Sequence, residues 1–106
     1  METVFKALAD PTRRAVLDRL FDRNGHTLGE LCEGLAMTRQ GVSKHLAILE
    51  DTGLVVTERR GREKRHFLNP VPIRQIHDRW IRKFEAGRLD ALEELRRRLE
   101  GGGASE

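Results

Sequence analysis

Four side chains in one stretch, Arg39, Gln40, Ser43 and Lys44, carry donors and acceptors suited to the edges of base pairs. Arg and Lys can donate to guanine, Gln can pair with adenine, and Ser can serve a base or a phosphate. On a helix, these spacings bring all four to the first two turns of one face, with Thr38 just before them as the cap. Further along, Arg59 to Arg65 reads RRGREKR, five bases against the single acid Glu63. From this run Arg60, Arg62, Lys64 and Arg65 are candidates to grip phosphates or a minor groove. A solvated basic turn would look the same in isolation, so the neighbouring elements must decide.

Other chemistry finds little support. The chain has no Gly-rich phosphate loop and no Ser/His/Asp arrangement with positional logic, so an enzyme is not expected. His26, His66 and His77 fall in a loop, a strand and a helix, and neither a His-x-x-x-His nor a Cys-x-x-Cys spacing occurs. His45 stands at the edge of an apolar stripe without a partner cluster, which points to a structural role. Cys32 is the single cysteine and cannot close an internal disulfide, so a reducing, cytoplasmic setting is expected. No apolar run approaches the roughly 20 residues of a membrane span, and none resembles a signal peptide.

The elements that must position the basic groups follow from caps and periodicity. Val4, Phe5 and Leu8 form a short apolar face ending at Asp10-Pro11. Asp10 as cap and Pro11 at the first helical position predict a helix to about Arg23, with Val16, Leu17, Leu20 and Phe21 inward, stopped by Asn24-Gly25. Thr27 and Glu30 have capping-box spacing and open a short helix with Leu28, Leu31, Cys32 and Leu35 inward. After a break at Ala36-Met37, Thr38 caps a helix to about Asp51 whose inner stripe is Val42, Leu46 and Leu49. From Leu54 the pattern turns β-branched and alternating, through the basic turn to Leu68, which predicts a β-hairpin.

Beyond Asn69-Pro70-Val71-Pro72, a long helical segment is expected to end near Glu100. Ile73, Ile76, Trp80, Ile81 and Phe84 make one stripe, and Leu89, Leu92, Leu95 and Leu99 another. The phase slips by one residue near Gly87, where a kink or a change of packing partner is expected. A helix of about 28 residues would be roughly 42 Å long, more than the preceding domain could cover. Arg96, Arg97 and Arg98 read as a solvated face paired with Glu93, Glu94 and Glu100. Residues 101–106 read as a flexible tail.

The length of 106 residues supports one domain, and the hydrophobic fraction of 38% is low enough to favour a partner subunit. The formal net charge of +3 is unevenly distributed. Residues 1–53 hold seven bases and eight acids, net −1, whereas residues 54–106 hold thirteen and nine, net +4. Two short helices across a tight break, with a polar outer face on the second and a basic hairpin after it, form a winged helix-turn-helix.

The run TRQGVSKHLAILEDTGLV from Thr38, with ALADPTRRAVLDRL from Ala7 and TLGELCEGL from Thr27, resembles the ArsR family of bacterial winged-helix repressors. The matching motifs are Asp10, Pro11 and Arg13, then Ser43, His45 and Leu46, then Gly53, Leu54 and Val55. The resemblance spans roughly residues 3–70 and implies homodimers, paired through the first and last helices, on palindromic operators. Metal-sensing members carry Cys-x-Cys in the helix holding Cys32, but here Gly34 stands at the second thiolate. Asp78-Arg79-Trp80 likewise lacks the imidazole of the family's Asp-x-His pair, so the likeness is to the metal-independent branch.

The reading is a mainly α homodimer with a small β-hairpin. Residues 1–70 form the DNA-binding core, 71–100 a dimerisation helix packed on it, and 101–106 the tail. Double-stranded DNA is the expected partner, met by Thr38, Arg39, Gln40, Ser43, Lys44, Arg60, Arg62, Lys64 and Arg65. Val4, Phe5, Ile76, Trp80, Phe84, Leu92 and Leu95 would form the dimer contact. No cofactor or metal is expected, and a small-molecule effector remains open. The rival readings are a thiol or metal sensor acting through Cys32, and a protein-interaction module on the same fold.

Overall fold

Three of the four helices in the first half begin where the sequence offers an oxygen to cap them. The computed structural model describes residues 2–81 and 86–102. After α1 (Glu2–Leu8), the Asp10 carboxylate accepts from the backbone N–H groups of Thr12 at 2.8 Å and Arg13 at 3.1 Å and starts α2 (Pro11–Asp22). Thr27 Oγ1 accepts from Glu30 N at 3.2 Å to open α3 (Leu28–Leu35), and Thr38 Oγ1 accepts from Gly41 N at 3.1 Å to open α4 (Arg39–Asp51). Between α3 and α4 the chain turns sharply because Ala36 adopts the left-handed conformation, φ 53°. That is an uncommon position for a residue with a Cβ, and the backbone N–H of Ala36 satisfies the last α3 carbonyls, Cys32 and Glu33.

β1 (Val55–Arg60) and β2 (Glu63–Leu68) pair antiparallel in register from Val55↔Leu68 to Arg60↔Glu63. Gly61, at φ 64°, and Arg62 form the two-residue tip, which needs a positive φ at its first position. Val16, Leu20, Leu31, Val42, Leu49 and Leu54 are fully buried and knit α2, α3, α4 and the start of the hairpin into one core.

Two residues expected elsewhere change place. Val4, assigned to a subunit contact, is only 7% exposed and packs in the chain's own core beside Ala7, leaving Phe5 at 42% as the large apolar group α1 presents. Phe21, expected inward, is 76% exposed. At about 100° per residue it stands well around the helix from Val16 and Leu20, and it lines an open apolar depression with Leu8, Leu17, Leu68 and Ile73.

The long C-terminal segment is not one α-helix. It contains α5 (Val71–Ile76), a π-helical turn (His77–Ile81) and α6 (Ala86–Gly102). The departure from α winding therefore falls before Gly87, which itself lies within α6. A π turn admits an extra residue, and this one falls within the first apolar stripe. Phe84 lies outside the described residues, and α6 continues two residues into the expected tail. The chain divides into two compact units between Arg74 and Gln75. In the second, Arg96 pairs with Glu93 and, at 3.0 Å, with Glu100, while Trp80, Leu92 and Leu95 are exposed and Ile76 is half-buried.

Candidate nucleic-acid interface

The inner stripe of α4 fixes its opposite face. With Val42, Leu46 and Leu49 buried, Thr38, Arg39, Gln40, Ser43 and Lys44 are all exposed. None of the last four has a hydrogen-bond or ion-pair partner among the described residues, so their polar groups are available to a ligand. α4 and the hairpin flank an open groove of about 670 Å³. Arg39 and Ser43 line it from α4, Arg62 and Lys64 from the hairpin, and Leu28 and Gly29 from the start of α3. Gln40 and Lys44 lie on the exposed face of α4 but not in this groove.

The wing cations differ in what holds them. Arg62, at the tip, is exposed and has no partner among the described residues. Arg60 pairs with Glu58 at 3.4 Å and lies over the Phe67 ring, 5.6 Å from its centre, which orients the guanidinium while leaving it in solvent. Lys64 Nζ stands 3.1 Å from Glu50 Oε1 at the far end of α4. Arg65, expected to reach DNA, is turned into the subunit. Its Nη1 donates to Gly25 O at 2.7 Å, its Nη2 pairs with Glu63 at 3.1 Å, and its side chain is only 23% exposed.

Two acids and two histidines of this region carry no site role in the sequence pattern. Glu50 and Glu63 line the groove. Glu50 had a legible signal, because eleven residues from Arg39 return to nearly the same face of a helix. His26 and His66, 40 residues apart, are both buried and meet in an isolated β-bridge. Burial and the Arg23 guanidinium hold His26 below the ordinary histidine range, despite the nearby Glu30 carboxylate. A hydrogen bond from Arg23 is the main cause that lowers Glu30. Asp10 is lowered chiefly by the backbone N–H of Arg13.

Cys32 is half-buried. A Cβ on Gly34 would fall 2.0 Å from Arg19 Cζ, so the guanidinium of Arg19 covers the place where a second thiolate would project. Among the described residues, no three His, Cys, Asp or Glu side chains are grouped to hold a metal ion. His45 is half-buried, and its Nδ1 is buried without a hydrogen-bond partner there. No described helix is long and apolar enough to cross a membrane.

A helix with an exposed polar face, set behind a tight turn and beside a basic hairpin, is the arrangement of a winged helix-turn-helix DNA-binding protein. Residues 8–58 match the model of a family described as a helix-turn-helix domain. An uncharacterised HTH-type transcriptional regulator of Bacillus subtilis, YuzN, is 42% identical over 86 residues, covering 76% of this chain and 94% of that one. The transcriptional repressor SdpR of the same organism is 33% identical over 79% of this chain and 91% of its own. An ArsR-like transcriptional regulator from Rhodococcus superposes with a TM-score of 0.68 at 30% identity, over 89% of this chain and 90% of that one. The chain belongs to the ArsR family of helix-turn-helix transcriptional regulators, and it is a DNA-binding regulator.

Proposed function

We propose that this regulator is a cytoplasmic, homodimeric repressor that binds a palindromic operator and works without a metal. The observation that carries the reading is the groove in which Arg39 and Ser43 of α4 face Arg62 and Lys64 of the hairpin. A recognition helix in a major groove and a wing over the adjoining backbone need that juxtaposition. In this reading Thr38, Arg39, Gln40, Ser43 and Lys44 meet the major groove, and Arg60, Arg62 and Lys64 meet phosphates. Arg65 supports the wing from behind.

Dimerisation uses Phe5, Ile76, Trp80, Leu92 and Leu95, with Phe84 a further candidate. Phe5, Trp80, Leu92 and Leu95 are large apolar groups left exposed on a single chain. A two-fold pair would set its recognition helices about one DNA turn, roughly 34 Å, apart, which accounts for palindromic sites. Metal independence is supported by Arg19, whose cation occupies the space beside Gly34 where a soft-metal site would need a thiolate.

The test is fluorescence anisotropy with duplex DNA from upstream of the protein's own gene, set against a shuffled duplex of equal length. Tighter binding to the upstream duplex by a factor of at least about 10³ is expected for a specific regulator. Equal affinity for both would leave a non-specific binder.

A further inference from the structure

The wing is a two-stranded hairpin, an element only marginally stable by itself in water. Of its strand residues only Val55 and His66 are buried, so something other than its own core must fix its angle. The residues just before α3 do this. Leu68 N donates to Asn24 Oδ1 at 2.8 Å, Gly25 N to His66 O at 2.9 Å, and His66 N to His26 O at 2.8 Å. The His66 ring adds a bond from Nδ1 to the same His26 carbonyl at 2.9 Å. Arg65 then reaches across to Gly25 O.

We infer that Arg65, His66 and His26 are the positioning residues of the wing, clasping β2 to the α2–α3 turn at the angle DNA binding needs, and that protonation of His26 opens the clasp. The inference rests on the reading of the wing as a DNA contact. His26 is 4% exposed, and its Nδ1 accepts from Arg23 Nη2 at 3.2 Å. A proton there turns that bond into two donors face to face and buries a cation. The groups facing His26 are Arg19 and Arg23 from the α2 side, Glu30 from α3, and His66 from β2, with Arg65 close by on Glu30. Glu30 Oε2, at 3.6 Å, would favour the imidazolium, but its carboxylate is already shared by Arg23, Arg65 and Thr27.

The sign follows from linkage. His26 is held below 6.5 when clasped and regains the ordinary value when released. The clasp is therefore at full strength above about pH 6.5 and weakens as pH falls below it, by at most about tenfold per pH unit for one proton.

The experiment compares wild type, His26→Asn and Arg62→Ala by anisotropy on the upstream duplex at constant ionic strength, from pH 7.5 to 5.5. The Asn amide oxygen replaces Nδ1 as an acceptor but takes no proton in this range. Wild type should weaken relative to His26→Asn, by up to about tenfold. Amide exchange on wild type, corrected for intrinsic rates, should show protection of the Gly25 and His66 N–H groups falling over the same interval. This second measurement stands even where the variant folds poorly. Arg65→Gln should weaken binding less in an Arg62→Ala background than alone, because it acts through the wing rather than on DNA directly. Protection that holds to pH 5.5, or equal pH profiles for wild type and His26→Asn, would overturn the inference. An Arg62→Ala protein with unchanged affinity and salt dependence overturns instead the assignment of the wing to DNA.

Discussion

Glu50→Gln should make this regulator bind DNA more tightly. The Glu50 carboxylate lines the groove and holds Lys64 Nζ at 3.1 Å, with the Lys side chain 48% exposed and the Glu side chain 28%. A pair this open contributes no more than about 1 kcal/mol to the fold, so the substitution should move the melting temperature little. On DNA the balance differs. Lys64 must leave the carboxylate to meet a phosphate, and the carboxylate itself repels the backbone. Freeing one restrained lysine adds at most about 0.9 to the magnitude of the slope of log K against log salt, which is worth up to about fivefold in affinity at 0.15 M. The assay is anisotropy across 50–400 mM KCl on the upstream duplex, for Glu50→Gln, Lys64→Ala and the double variant. The gain should vanish in the Lys64→Ala background. An unchanged slope, or a gain that survives without Lys64, would refute the account of Lys64 as a restrained phosphate contact.

Arg39→Ala should cost about 1–3 kcal/mol on the upstream duplex and little on the shuffled one, measured in the same titration; equal losses would mean that Arg39 reads no base. Trp80→Ala should weaken dimerisation by about 3–5 kcal/mol for a ring that a second subunit covers, and sedimentation of wild type as a monomer at micromolar concentration would defeat the dimer reading. Zinc, cadmium or arsenite, added with a reductant to the DNA complex, should release no DNA from wild type or Cys32→Ser. Stoichiometric release lost in Cys32→Ser would make the protein a thiol-based sensor.

Features governed by nearest neighbours were legible in the sequence. Asp10, Thr27 and Thr38 cap the helices expected of them, and the stripe of Val42, Leu46 and Leu49 is buried as its period requires. The two-residue tip at Gly61-Arg62 follows from a glycine between two alternating runs. Features that depend on distant chain were not legible. Arg65 looks like any cation in a basic run until Gly25, 40 residues earlier, lies beside it. Val4 shows the same limit, since an apolar residue on a short amphipathic helix does not reveal whether its own core or a second subunit will cover it. Phe21 shows the weakness of stripe counting at a stripe's edge. Stripe spacing puts the expected break near Gly87, whereas the π turn at His77–Ile81 lies several residues earlier, within the first stripe.

The close approach of Arg19 to Gly34 also bears on how such a chain could acquire a new signal. Gly34→Cys alone would create the Cys-x-Cys spacing of the metal-sensing relatives, with Cys32 already in place. Its Cβ would stand 2.0 Å from Arg19 Cζ, so the guanidinium would have to swing aside. The new thiolate pair would then share its neighbourhood with a displaced cation, which opposes a dication. A second thiolate in α3 is therefore tied to where the Arg19 guanidinium goes, and not to position 34 alone. Loss of Arg19 would also reach the wing, because the same residue faces His26.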